Sequence, residues 1–391
     1  MAPHHKRVSA VSSRSDSRQA LFVQATEPAA YPPLINASIL MADTGWNITF
    51  LSAPTADESL VLAPHPCIDV ERISKRPSYV LTKLAYLEYC RRAIGLALRL
   101  QPKVVYASDP IGALPGLLAS RASSAHLIYH EHDTPTRSSD LNPIIRLARI
   151  TAIRTAKHVI FPHAERAAIV GQDLNKERFH VVWNTPRLAE LPAIHNRPEH
   201  PLVVYYHGSI SPTRIPKTVA EAVARLGNCA RIRIAGYETE TGYGYIDELR
   251  SLFGDTTSGG IIDYVGQVPR DRLLVEAAKA HIGLALTPMV TNDLNMRYMA
   301  GASNKAFDYM AAGLPFLVSD LPEWRTMFVE ADYAVACDPR SADSIEAALR
   351  HLTGSPLLRK RMGFKARKKV EEAWNYGAQF ANVLTAIQSK L

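Results

Sequence analysis

Ala302–Asp320 reads ASNKAFDYMAAGLPFLVSD. A small-residue loop runs into a short helical pattern at Asn304–Ala312, Gly313 and Pro315 stop it, and an apolar strand follows. The start of a helix presents unpaired backbone N–H groups and a partial positive charge, which suits a phosphate. Ser303 is placed to cap it. Lys305, in the first turn, opposes the helix dipole, so a bound anion would explain its position. Asp308 lies four residues after Asn304 on the same helix face, where a carboxylate can accept hydrogen bonds from a ribose diol. A plain helix with solvated Lys305 and Asp308 fits the same spacing.

Outward from this stretch the chain alternates strand and helix. Leu202–His207, Ala230–Ala235, Ile261–Val265, Ile282–Thr287, Pro315–Ser319 and Tyr333–Cys337 are expected strands with helices between them. An earlier set comprises Ala20–Thr26, Asn47–Ala53, Val104–Asp109, Leu127–His132, His158–Pro162 and Phe179–Asn184. Helical stretches at Tyr79–Leu100 and Asn142–Ala156 lie among them. Such alternation means βαβ crossovers and a parallel sheet covered on both faces. Between the sets, Pro186–Pro201 (PRLAELPAIHNRPEHP) crowds four prolines into a polar stretch that reads as a linker. The expected fold class is therefore α/β, with two doubly wound sheets and a cleft between them. Ser355–Leu391 reads as wholly helical.

Composition limits the function classes. The chain has 391 residues, 47% hydrophobic and 21% charged, which excludes disordered, collagenous and coiled-coil proteins. Net charge is +8, and residues 1–196 hold 22 Lys/Arg against 16 Asp/Glu, so most of the excess lies in the first half. Anionic partners follow from that sign: nucleotides, lipid headgroups or nucleic acid. The last of these lacks aromatic-basic interleaving or a known binding module. Cys67, Cys90, Cys229 and Cys337 are scattered, without disulfide or zinc spacing. The polar N-terminus lacks the apolar core of a signal peptide, and no run is long enough to span a membrane. A cytoplasmic protein is expected, with contact at a membrane surface left open. The run RKRMGFKARKK at 359–369 has seven Lys/Arg in eleven residues, either a solvated helix face or a contact for anionic lipid.

Two further segments carry chemistry. In Tyr205–Lys217, YYHGSISPTRIPK, a strand runs into Gly208-Ser209 and then toward a helix whose first turn holds Pro216. Gly208 permits close backbone approach, and Arg214 can fork onto a diphosphate. Neither a Walker A loop nor a GxGxxG fingerprint is present. In Leu127–Pro135, LIYHEHDTP, His130 and His132 share one face at a strand end. A structural strand-end histidine is the plain alternative, and an HxH metal site has no third ligand in sequence.

Taken together and in order, these segments resemble the retaining GT-B glycosyltransferases, the large group with many bacterial polysaccharide and lipid glycosyltransferases (family 4-like). YHGSISPTR is similar to that family's first strand and glycine turn, RIRIAG (Arg231–Gly236) to its second strand, and YVGQVPRDRL (Tyr264–Leu273) to its following turn. SNKAFDYMAAGLPFL (Ser303–Leu317) resembles its phosphate- and ribose-binding segment, and LIYHEHDTP the strand end with its active-site histidine. VVWNTP (Val181–Pro186) and Trp374 fit as well.

The resemblance implies GT-B architecture, two Rossmann-like domains facing a cleft. The expected divisions are a flexible tail at 1–19, an acceptor-side domain at 20–196 and a nucleotide-sugar domain at 197–370. A final helix at 371–391 would pack back on the first domain. It implies transfer of a sugar from a nucleoside diphosphate sugar to a saccharide or lipid-linked acceptor, with no further cofactor and no metal. The chain has no Asp-x-Asp pair of the kind that holds a divalent ion on a diphosphate. His132, Arg214 and Lys305 would be catalytic. Gly208 and Ser209 would form the glycine turn, with Gly236, Tyr237, Gln267 and Val268 at the base. Backbone N–H groups at Ala302, Ser303 and Asn304 would hold the phosphate, and Asp308 the ribose.

Two departures stand out. The first glutamate of the family's E-x7-E motif falls at Ala300, leaving Glu323 or Asp293 as spatial substitutes. The glycine-rich first loop is replaced by TEPAAYPPL (Thr26–Leu34), in which Pro32 and Pro33 have no N–H to donate. A UDP-sugar epimerase of the same fold and a non-catalytic nucleotide-binding relative are the alternatives.

Overall fold

The central apolar runs become strands buried on both faces, as in Val104–Ser108 and Phe316–Ser319. A computed structural model describes residues 18–53, 62–73, 82–172, 175–194, 197–239 and 242–389. In the first half, strands β1 (Arg18–Gln24), β2 (Trp46–Ser52), β3 (Ile68–Arg72), β4 (Val104–Ser108), β5 (His126–His130), β6 (His158–Phe161) and β7 (Phe179–Val181) form one sheet. Its order is β3-β2-β1-β4-β5-β6-β7, and every pairing is parallel. In the second half, β8 (Leu202–Ile210), β9 (Ala230–Glu238), β10 (Ile262–Gly266), β11 (Ile282–Ala285), β12 (Phe316–Ser319) and β13 (Ala334–Cys337) repeat the plan as β10-β9-β8-β11-β12-β13. Both sheets reverse winding beside their first strand, and the crevice at such a switch point is where doubly wound sheets bind ligands.

Helices cover both faces of each sheet. On one face of the first sheet Phe22, Phe50 and Tyr106 are fully buried, with the Phe22 and Tyr106 rings stacked 4.5 Å apart. On the other, Val23, Val105 and Phe161 meet Ala93, Ala97 and Leu117 from flanking helices. Burial of this kind stabilises by about 1.5–3 kcal/mol per large apolar side chain.

Three sequence expectations need correction. Residues 1–17 lie outside the described residues, and β1 already begins at Arg18. The edge strand β3, IDVER, was not expected; its charged alternation and short length hide it. β8 does not stop at His207 but continues through Gly208 and Ser209 to Ile210, with Gly208 at φ +107°. The C-terminal stretch is helical as expected, in two helices, Pro356–Glu372 and Tyr376–Gln388, broken where the Asn375 side chain accepts the Ala378 N–H at 3.0 Å.

That break redirects the chain. The first of the two helices buries Met362, Ala366 and Val370 against the second sheet. The second places Tyr376, Phe380, Val383 and Ile387 into the first sheet's core beside Met41 and Trp46. Part of the basic run 359–369 is used in building this region, while Lys360, Arg361, Lys365 and Lys368 stay exposed. The guanidinium of buried Arg359 donates to the Leu352 and Thr353 carbonyls at 2.7 and 3.0 Å, and Arg367 to the Pro192 and Ala311 carbonyls. Lys369 lies 5.3 Å over the Trp374 ring, and Arg361 and Lys365 both face Asp332. Among the described residues, no helix is long and apolar enough to cross a membrane.

Candidate active site

Strand ends converge on a cleft of about 640 Å³ between the two sheets. The second domain supplies the tail of β8, the end of β9, the turn after β10 and the segment leading into the helix Asn304–Ala311. The first domain supplies the loop after β1 and the end of β5. His132, Gly208, Ser209, Arg214, Gly236, Tyr237, Gln267, Val268, Ala302, Ser303, Asn304, Lys305 and Asp308 all line it.

Glycine is required at its floor. A Cβ on Gly236 would fall 1.9 Å from the Gly208 carbonyl oxygen, so β8 and β9 close together only without one. A Cβ on Gly208 would approach the Lys305 ammonium to 3.3 Å. Lys305 Nζ also sits 5.2 Å above the Tyr206 ring. Burial and the neighbouring charge of Arg214 bring its pKa down to about 7, with Asp308 opposing. Among the described residues, neither Lys305 nor Arg214 has a carboxylate within ion-pair distance. Two basic groups facing one cavity without a counter-ion disfavour each other's charge, which is part of why Lys305 gives up its proton so readily, and an anion relieves this.

The helix at Asn304 differs from expectation in detail. Ser303 occupies the N-cap, but its hydroxyl makes no capping bond. The Ala302 and Ser303 N–H groups both donate to the Met299 carbonyl, at 3.0 and 2.8 Å. The amides left to face an anion therefore begin at Asn304.

Asp308 is not a free acceptor. Arg270 forks onto it with N–H donors at 2.6 and 2.8 Å, and its Nε donates to Glu190 of the interdomain segment at 2.9 Å. Burial raises the Asp308 pKa while Arg270 opposes it. His207, buried beside the same carboxylate at 3.4 Å, is held neutral by desolvation and by Lys305 and Arg270. Sequence reasoning missed Arg270, although it carries the signal that marked Lys305, a cation in the first turn of a helix.

In the first domain, His132 is 6% exposed, and neither ring nitrogen has a hydrogen-bond partner among the described residues. Burial brings its pKa down to about 3, so the ring is neutral. It packs 3.9 Å from His130, whose Nδ1 is bonded to the Tyr106 hydroxyl at 2.7 Å. Its backbone N–H donates to Asp109 at 2.7 Å, and its carbonyl accepts from Arg166 at 3.0 Å. Tyr31 from the proline loop completes this wall, its ring 5.7 Å from His132 and its pKa pushed up to about 12 by burial. Tyr31, Arg166 and Asn184 line the cleft without having been expected there. The proposed substitutes for the carboxylate missing at Ala300 point elsewhere. Glu323 pairs with His163, and Asp293 accepts the Asn295 N–H.

Comparison with known proteins agrees with this geometry. A glycosyl transferase-like family model matches residues 214–385, and a glycosyl transferase 4-like domain matches residues 40–185. Among curated proteins none matches. Among solved structures, sucrose-phosphate synthase from Thermosynechococcus elongatus superposes with a TM-score of 0.68 at 14% identity, over 95% of this chain and 99% of that one. HepE from Anabaena, in complex with UDP and glucose, gives 0.68 at 14% identity, over 95% and 100%. WaaG, a glycosyltransferase involved in lipopolysaccharide biosynthesis, gives 0.62 at 13%, over 94% and 99%.

Proposed function

Because the chain belongs to the GT-B glycosyltransferases, we propose that it moves a sugar, with retention of configuration and without a metal ion, from a nucleoside diphosphate sugar. The acceptor is a saccharide or lipid-linked glycan in cell-surface polysaccharide or glycolipid synthesis. The observation that carries this reading is a pair of basic side chains, Arg214 and Lys305, facing the cleft over a glycine floor with no carboxylate within ion-pair distance among the described residues.

Loss of the nucleoside diphosphate builds negative charge on the leaving phosphate. Arg214, Lys305 and the amides from Asn304 onward already face the cleft, so stabilising that charge costs little reorganisation. Neutral His132, with both ring nitrogens free, can donate to one hydroxyl and accept from another at the junction of donor and acceptor. The departing phosphate oxygen can take the acceptor proton, so no strong protein base is required. Burial in a cleft between two domains keeps water from competing.

An acceptor carried by a lipid suits the first domain's surface. Leu84, Leu87, Ile144 and Leu147 are exposed there, with Lys83, Arg91, Arg92 and Arg146 also exposed on the same helices. We place the enzyme in the cytoplasm, working at the inner face of the plasma membrane.

Incubation with UDP-, GDP- and dTDP-sugars tests the reading. Acceptor-dependent nucleotide release from one donor is expected. Donor conversion without acceptor would favour an epimerase instead, and a protein that neither binds nor consumes any donor is no transferase.

A further inference from the structure

A hexose presents several hydroxyl groups, and holding one orientation of the ring needs fixed acceptors as well as donors. Among the described residues, the cleft wall carries two carboxylates, Asp133 and Asp308. Both Asp308 oxygens are occupied by the Arg270 fork. Asp133 opens onto the cleft, and its oxygens have no hydrogen-bond or ion-pair partner among the described residues.

Its backbone is fixed on both sides. The Asp133 N–H donates to Asp109 at 3.3 Å. The preceding carbonyl, of His132, accepts from Arg166, which also donates to the Asn295 and Tyr298 carbonyls at 2.7 Å each. The following residue, Thr134, is held by the Asn295 side chain at both its N–H and its carbonyl, at 2.8 and 3.0 Å. These bonds pin the Asp133 loop against segment 295–302 of the other domain. Position 300 in that segment is a fully buried alanine, so this segment offers no carboxylate of its own there. Arg214 is close enough to act electrostatically on Asp133, and both line the same cleft.

We propose that Asp133 is the donor-sugar ligand of this enzyme, a carboxylate supplied by the first domain that accepts hydrogen bonds from hydroxyls of the transferred sugar. The inference rests on the transferase reading above. It makes the donor-sugar subsite a two-domain construction, complete only while Arg166 and Asn295 hold the domains together.

The test compares wild type, Asp133→Asn and Asp133→Ala, each checked for unchanged Tm. UDP and UDP-glucose are titrated by calorimetry, or the GDP or dTDP pair if wild type prefers it, and donor turnover is measured with and without acceptor. Affinity for the bare nucleotide should stay within about 2-fold, whereas the sugar nucleotide should lose about 10- to 100-fold in kcat/KM, less in Asn than in Ala. The proposal is overturned if turnover is unchanged, if bare nucleotide and sugar nucleotide weaken equally, or if only the acceptor KM rises. A wild type that consumes no donor at all would instead sink the transferase reading itself.

Discussion

At the scale of single residues, Lys305 shows how the cleft is prepared for its ligand. Burial and Arg214 bring its pKa down to about 7, so near neutral pH much of it has given up its proton. A bound diphosphate favours the ammonium and raises the pKa again. Binding at pH 8 should therefore take up a proton, and affinity should fall as pH rises through 7 until the bound-state pKa is reached. Titration of the nucleoside diphosphate that wild type binds, in HEPES and in Tris, measures this, because the apparent enthalpies differ by the buffers' ionisation heats. Equal enthalpies would contradict it, and Lys305→Arg should remove the uptake. That Lys305, Arg214 and His132 line one cleft was legible in part: Lys305 stands in the first turn of a helix, whereas Arg214 and His132 were assigned to the site through the family resemblance. Arg270 was less legible because its partners, Glu190 and Asp308, lie far from it in sequence and meet only in three dimensions.

At the scale of elements, the helix Pro356–Glu372 separates charge from its use. Seven basic residues in eleven read either as a solvated helix face or as a contact for anionic lipid; within the run, Arg359 and Arg367 hold backbone carbonyls of neighbouring elements. Replacing either by alanine leaves carbonyls without donors and should cost about 1–3 kcal/mol, read as a lowered Tm. Arg361→Gln with Lys368→Gln, both on exposed side chains, should leave Tm within about 1 °C. Equal losses from both sets would show that the run acts by charge alone. The strands were legible where both faces are buried and the run is apolar, as in β4 and β12. β3 was not, because a half-exposed edge strand alternates charged and apolar residues too briefly to form a clear period.

At the scale of the whole molecule, the two sheets share one plan and turn their switch points toward one cleft. The final helix returns to the first domain, and its backbone N–H at Tyr376 donates to the Pro186 carbonyl at 2.9 Å, so the chain crosses between domains twice at one place. A proline-rich linker and two rounds of strand and helix made this division readable in sequence. The contacts across the cleft, through Arg166, Asn184 and Asn295, were not, because each is a side chain meeting the backbone of a distant segment. The central claim is that Arg214 and Lys305 form a diphosphate site. Calorimetric titration of the nucleoside, its monophosphate and its diphosphate, in whichever of the uridine, guanosine or thymidine series wild type binds, against wild type and Arg214→Ala measures it directly. Wild type should bind the diphosphate far more tightly than the monophosphate, and the substitution should remove about 10- to 100-fold of that preference while leaving nucleoside binding unchanged. The claim is contradicted if the two proteins bind the diphosphate equally, or if nucleoside binding falls as much as diphosphate binding.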